Sequence, residues 1–352
     1  MEDLQFLNIM DNECFQDESQ SWVAPLPFRQ PRALLPNNRR YALSCLNSLE
    51  RTLDKNPKMK VHLIDFMQKM LDNGHVELAP PVQECWYLPY FGVYHPQKPS
   101  QIRVVFDSSA QFESMSLNTV LLSGPNLNNS LLGVLVMFRK HPVAVTADIQ
   151  QMFYCFLVRE DCRDVLRFVW HKDNDPQKEF VDYRMCMHVF GNSPSPAVAT
   201  YGLRRAAQKG EAKYGSDVRH FIEHDFYVDD ALKSVPIEHE AIDLKRTQDM
   251  LADSNLRLLK IASNKVEVMN AFSPQDQAKD LQNLDLFKDE LPDQCSLGVK
   301  WNIMEDYFTF HIPHAEKPYT QRGVLSTVNS VFDPLGFLAP VTVRGRLLLR
   351  CF

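Results

Sequence analysis

Apolar residues recur every three to four positions over residues 38–54 and again over 58–73, where Leu63, Phe66, Met67 and Met70 share one face and Gly74 stands in the stop position. That spacing predicts two helices. Residues 25–36 carry four prolines and read as an extended arm or linker rather than a packed element. From Val82 the texture changes to short β-like runs at 86–88, 91–94 and 102–106. Residues 127–139 read as a helix lying on that sheet, and the alternating run 143–147 as a strand that delivers Asp148 at its end. The runs 165–170 and 180–185 flank Lys172-Asp-Asn-Asp-Pro176, which predicts a hairpin. Ser195-Pro196 opens a helix running towards Lys209, because proline is preorganised for the first helical position behind a serine cap. Residues 221–235 read as a second hairpin with Asp229-Asp230 near its turn. Ile237, Ala241, Leu244 and Leu251 then mark an amphipathic helix, and 256–261 a returning strand. A β-α-β-β-α order of this kind predicts a mixed α/β or α+β sheet with helices on one face.

Composition adds constraints. With 352 residues, 45% of them hydrophobic, the chain can bury a sizeable core in two or more subdomains. The apolar run Leu131–Phe138 ends in Arg139-Lys140-His141, far short of the roughly 20 residues of a membrane span, so no membrane partner is expected. Glu2, Asp3, Asp11 and Glu13 make the start unlike a signal peptide, and a cytoplasmic or nuclear location follows as the expectation. The eight cysteines include no C-x-x-C pair and read as free thiols. A formal net charge of -6 argues against binding nucleic acid by bulk electrostatics. Local basic surface is expected instead at residues 29–40 and at Arg344, Arg346 and Arg350.

The candidate chemistry lies in Asp148 and the Asp229-Asp230 pair. Strands placed side by side would gather these carboxylates, an oxygen donor set suited to two Mg²⁺ or Mn²⁺ ions about 3.5–4 Å apart. Adjacent strand residues point to opposite faces, so one of the pair is expected to share both metals with Asp148, and Asp229 is the choice. Taken alone, Asp-Asp at a turn is ordinary turn chemistry.

Three motifs change that weighting. Asp148-Ile-Gln-Gln-Met-Phe153, then Phe190-Gly191-Asn-Ser-Pro-Ser195-Pro196, then Tyr227-Val-Asp-Asp230 are similar, in this order, to the polymerase motifs of reverse transcriptases. Arg103-Val-Val-Phe-Asp107-Ser-Ser-Ala, Ser116-Leu-Asn118, Gly124-Pro125, Arg167-Phe168 with Trp170, Ala262-Ser263-Asn264, Leu297-Gly298 with Trp301, and Phe332-Asp-Pro-Leu-Gly336-Phe-Leu-Ala-Pro340 narrow the resemblance to the Pol polyproteins of BEL/Pao-type LTR retrotransposons. It runs over nearly the whole chain. Ile261, where that family tends to place an aromatic residue, and Leu88-Pro-Tyr90, in place of a more usual Pro-His, depart from the pattern.

The resemblance implies an α+β right-hand polymerase: an N-terminal arm and helices at 1–74, fingers at 75–142 with 159–182 inserted, and a palm of 143–158 and 183–270. Residues 271–352 would form a primer-grip and partial thumb or connection region, truncated before RNase H. It implies that Arg103 grips the incoming triphosphate, Phe153 acts as a steric gate against the ribose 2′-hydroxyl, and Gly191 lets backbone approach nucleotide and template. Ser195 and Pro196 would start the helix beneath, Tyr227 would lead the acidic turn, Lys260 would protonate the leaving pyrophosphate, and Leu297-Gly298 would hold the primer terminus. The implied activity is RNA-directed DNA polymerisation from dNTPs on an RNA or DNA template with a primer. Protease, RNase H and integrase domains of the same polyprotein are the expected neighbours. An aspartic protease reading of Asp107-Ser108-Ser109 is disfavoured, since Ser109 replaces the required glycine. The remaining alternative is a truncated or domesticated fragment that binds nucleic acid or protein without catalysis.

Overall fold

The computed structural model describes residues 1–95, 98–281, 293–310, 318 and 320–348. Arg350 of the expected basic surface lies outside them. Two compact units emerge, one of Met1–Leu127 with Gln151–Ala206 and one of Asn128–Gln150 with Ala207–Phe352. Among the described residues no helix is long and apolar enough to cross a membrane.

In the first unit the two predicted helices form at Arg39–Lys55 and Pro57–Asp72, burying Leu46, Leu53, Leu63 and Met67. A hairpin of Tyr90–His95 and Lys98–Phe106 pairs Val93 with Arg103. A three-stranded antiparallel sheet sets Phe180–Met185 between Val76–Leu78 and Arg167–His171. Fully buried Trp86, Trp170, Phe106 and Phe168 anchor one core, each such side chain contributing roughly 1.5–3 kcal/mol. Two expectations need correction. Residues 25–36 are no free arm, because Leu26, Phe28 and Leu35 are buried in that core. Proline fixes their extended backbone, but burial of the apolar residues between prolines decides where the segment lies. Nor do 86–88 form a strand; Tyr87 makes one parallel bridge to Arg167, and Asn38 holds the segment by accepting from the Tyr87 amide at 2.7 Å and donating to its carbonyl at 2.8 Å.

A ladder of charges crosses this sheet. Arg184 donates to Glu77 at 2.7 Å and Asp164 at 3.0 Å, while the almost fully buried Arg167 also reaches Asp164 at 2.5 Å. Arg163 adds a second contact to Glu77 at 3.2 Å. Burial pushes the Glu77 carboxyl up, but its hydrogen bonds and charge interactions with Arg163 and Arg184 prevail and hold it below the usual carboxylate range.

The second unit is built on a four-stranded antiparallel sheet ordered Phe226–Tyr227, Asp230–Val235, Val143–Ile149, Leu258–Ser263. Val143 through Ala147 are all buried, so the alternation read from the sequence does not produce one wet face. Asn264 fixes the start of this central strand, accepting from the Ala144 amide at 2.9 Å and donating to the Pro142 carbonyl at 2.8 Å. The expected hairpin of 221–235 forms over Phe226–Val235, but its first four residues belong to the helix Ser216–His224, where Val218, Phe221 and Ile222 follow helical spacing and are buried. The helix expected over 127–139 is shorter, Leu131–Phe138, because Ser130 caps it. Asn129 instead spends its amide on the carbonyls of Glu223 and Phe226. The amphipathic helix divides into Glu238–Ile242 and Leu244–Ala252. A further antiparallel sheet of Gln294–Ser296, Val299–Asn302 and Tyr307–Thr309 buries Trp301 against Phe138, ring centroids 5.1 Å apart.

A carboxylate with a depressed pKa stabilises the fold above its unfolded value and loses that contribution as pH falls through the folded one. Glu77→Gln is therefore expected to destabilise the chain near neutral pH. The gap in urea midpoint between variant and wild type should shrink between about pH 5 and pH 3. A gap independent of pH would mean that the ladder does not depend on the charge of Glu77.

Candidate active site

The central strand carries Asp148 one residue before its end, and the antiparallel register sets Asp230 directly opposite it. Directly paired residues share a face, with Cβ atoms about 4.5–5.5 Å apart, and like charges placed so repel. Tyr227 pairs with Asp230 across the other edge, which leaves Val228 and Asp229 as a two-residue turn. The choice of Asp229 as partner of Asp148 rested on strand alternation. Asp229 lies in the turn, where alternation does not govern, and the strand residue facing Asp148 is Asp230. Val228 has φ +57°, a left-handed conformation that is an outlier for a β-branched side chain. The Ile149 amide donates to the Asp229 carbonyl at 2.9 Å and pins the turn to the central strand. Tyr227 packs on the apolar cluster around Trp301, as does Leu297.

Lys260 lies across the strand on the other side. Its ammonium donates to Asp148 Oδ2 at 2.8 Å. The strand Leu258–Ser263 is irregular here: Leu259 pairs with Asp148, and pairing resumes only at Ala262 with Thr146. Leu297 and Gly298 form the tip between Gln294–Ser296 and Val299–Asn302, at φ +52° and +77°.

The other sequence-derived residues lie in the first unit and are brought together there. Arg103, exposed on its hairpin, sits with its guanidinium 5.2 Å from the ring centroid of Phe190. Phe190 in turn packs edge-to-face on the half-buried Phe153, centroids 4.5 Å apart. Burial pushes the neighbouring Tyr154 phenol up to about 12, with Arg103 pulling the other way. Gly191 has φ +110°, and a Cβ there would stand 2.1 Å from the Phe106 carbonyl oxygen. Its own carbonyl accepts from Asn118, whose amide group also accepts from the Ser193 amide at 2.8 Å. Ser108 donates to Asn192 in the same network. Three separate motif segments are thereby knitted into one loop cluster. Ser195 is fully buried and donates to the Val189 carbonyl at 2.8 Å, while Pro196 is exposed in the first turn of Ser195–Tyr214. The bridging role of Phe190 and the anchoring role of Asn118 were missed from sequence, although both residues stood inside quoted motifs. Asp107 hydrogen-bonds the Ser109 amide at 3.0 Å, ordinary turn chemistry.

Among the described residues no three His, Cys, Asp or Glu side chains gather closely enough to hold a metal ion. The donor set is nevertheless that of a hard cation: two carboxylates on one sheet face, with an ammonium already standing as counter-ion to one of them.

A model of the Pao retrotransposon-like RNaseH-like domain matches residues 320–352. Two foamy viral protease-reverse transcriptase structures match in fold. One, labelled dRH and in complex with double-stranded DNA, has TM-score 0.52 and 16% identity, with 91% of this chain and 45% of that one covered. The other, in complex with an RNA/DNA hybrid, has TM-score 0.53 and 14% identity, with 100% and 40% covered. The chain has an α+β fold resembling these reverse transcriptase structures, and it spans less than half the length of those two structures. Curated proteins yield no match.

Gly191→Ala is expected to cost about 2 kcal/mol or more, since it adds a backbone clash to a disallowed φ. Urea unfolding checks this. A variant as stable as wild type would show that the loop cluster relaxes freely around position 191.

Proposed function

We propose that this chain is the RNA-directed DNA polymerase segment of a BEL/Pao-type retrotransposon Pol polyprotein, extending a primer 3′-hydroxyl with dNTPs. The observation that carries this reading is the register that sets Asp230 opposite Asp148 beside the strained turn at Val228. Asp148, Asp229 and Asp230 would hold Mg²⁺ or Mn²⁺. Once bound, the ions supply charge neutralisation for the attacking and departing oxygens.

The chain's own residues do the rest by positioning and electrostatics, which is what phosphoryl and nucleotidyl transfer chiefly needs. Arg103 offers a planar donor fork to a triphosphate, and its stacking on Phe190 orients that fork. Phe153, held at its edge by Phe190, is the ring that a ribose 2′-hydroxyl would meet. Gly191 leaves backbone bare where a base pair must approach, with Ser195 and Pro196 fixing the helix behind it. Lys260 carries a proton for the departing pyrophosphate, and the Leu297-Gly298 turn is the element assigned to the primer terminus. The duplexes bound in the foamy viral structures support a primed RNA or DNA template as partner. Fingers, palm and connection are assigned with the boundaries expected from sequence, and the other Pol domains as neighbours in the parent polyprotein.

Primer extension on an RNA template with Mg²⁺ or Mn²⁺ tests the reading. The double variant Asp229→Asn, Asp230→Asn should lose activity by about 100-fold or more. Equal incorporation by both forms, or none by either, sinks it. Salt-sensitive RNA affinity kept in both forms without incorporation would instead mark a binding-only fragment. Separately, Phe153→Ala should admit rNTPs, and unchanged sugar discrimination would return Phe153 to simple packing.

A further inference from the structure

Lys260 faces Asp148 only because its strand is irregular. Leu259 pairs with Asp148 and Ala262 with Thr146, so Lys260 and Ile261 together stand against the single residue Ala147. This is the two-against-one count of a β-bulge. In an unbroken pleat, the residue after Leu259 would point away from the face that Leu259 shares with Asp148. Lys260 instead takes φ +55°, a conformation uncommon outside glycine and asparagine, and its ammonium comes within 2.8 Å of Asp148 Oδ2. Ile261, the other residue of the bulge, is fully buried. The extra residue re-aims one side chain onto one carboxylate.

We propose that Lys260 is a built-in counter-ion that competes with the divalent cation for Asp148. The inference rests on the polymerase reading of that carboxylate. Asp148 and Asp230 stand opposite each other, and like charges so placed repel. Lys260 relieves that repulsion with a single charge. Its side chain is 63% exposed, which makes the pair weak enough for a doubly charged ion to displace. The ammonium thus has two stations, on Asp148 before the ion arrives and beside the loaded site afterwards. An ion that must displace Lys260 binds less tightly than one meeting Asp148 without that ammonium.

The test is Mn²⁺ affinity of the full chain, measured by the electron paramagnetic resonance signal of free Mn²⁺, without nucleotide or primer. Lys260→Met should tighten binding about three- to fivefold, the range an exposed ion pair can impose. Lys260→Arg, which keeps the charge, should stay near wild type, and Asp148→Asn should weaken binding strongly. Unchanged or weaker affinity in Lys260→Met overturns the proposal. Equal tightening in Lys265→Met also overturns it, because bulk charge would then be the cause. If Asp148→Asn binds Mn²⁺ as well as wild type, the metal assignment itself fails. If only the Lys260→Met effect is missing, the polymerase reading stands without this competition.

Discussion

The register that sets Asp230 directly opposite Asp148 is the constraint on which the face of the second unit's sheet depends. Like charges directly opposite on adjacent strands destabilise a sheet. The pair survives because the central strand is held elsewhere: its start is pinned by Asn264, its body is buried, and its end accepts the turn through the bond from Ile149 to Asp229. The left-handed Val228 is tolerated for the same reason. A two-residue connection leaves no slack, and the strain is carried by surrounding packing rather than by the turn.

The first unit solves a different problem, that of holding loops still. Arg103, Phe190 and Phe153 form a stack whose order follows from rings and a guanidinium meeting face and edge. Asn118 does for backbone what the stack does for side chains, since one amide group ties Ser109, Gly191 and Ser193. A residue with both donor and acceptor capacity is suited to that task, and serine or aspartate would satisfy only part of it.

How much of this could be read from sequence depended on how local each cause was. The helices Arg39–Lys55 and Pro57–Asp72 announced themselves through spacing, and the central strand through the alternating run 143–147. Asp148 and the Asp229-Asp230 pair could be assigned to neighbouring strands for the same reason. Phe226–Tyr227, two residues long, carries no period, so the end of the preceding helix was read as part of the hairpin's first strand. Which acid faces Asp148 is a matter of register, and register is set by pairing between segments far apart in sequence. The bulge at Lys260 was invisible on the same grounds. Burial of residues 25–36 is tertiary: prolines describe the backbone but not what Leu26, Phe28 and Leu35 rest against.

The basic stretch expected at residues 29–40 has a further consequence. Arg29 pairs with Glu2, Arg32 reaches Glu84 at 3.1 Å, and Arg39 reaches Asp182 at 2.8 Å. A phosphate meeting these guanidiniums must first compete with the chain's own carboxylates, and each such exchange swaps one anion for another. Counterions condensed on a nucleic acid are released only by charge that is not already neutralised. Of the four arginines in this stretch, Arg40 alone makes no ion pair among the described residues, so in a complex with nucleic acid the stretch would add to the steepness of a salt titration roughly as one cation rather than four.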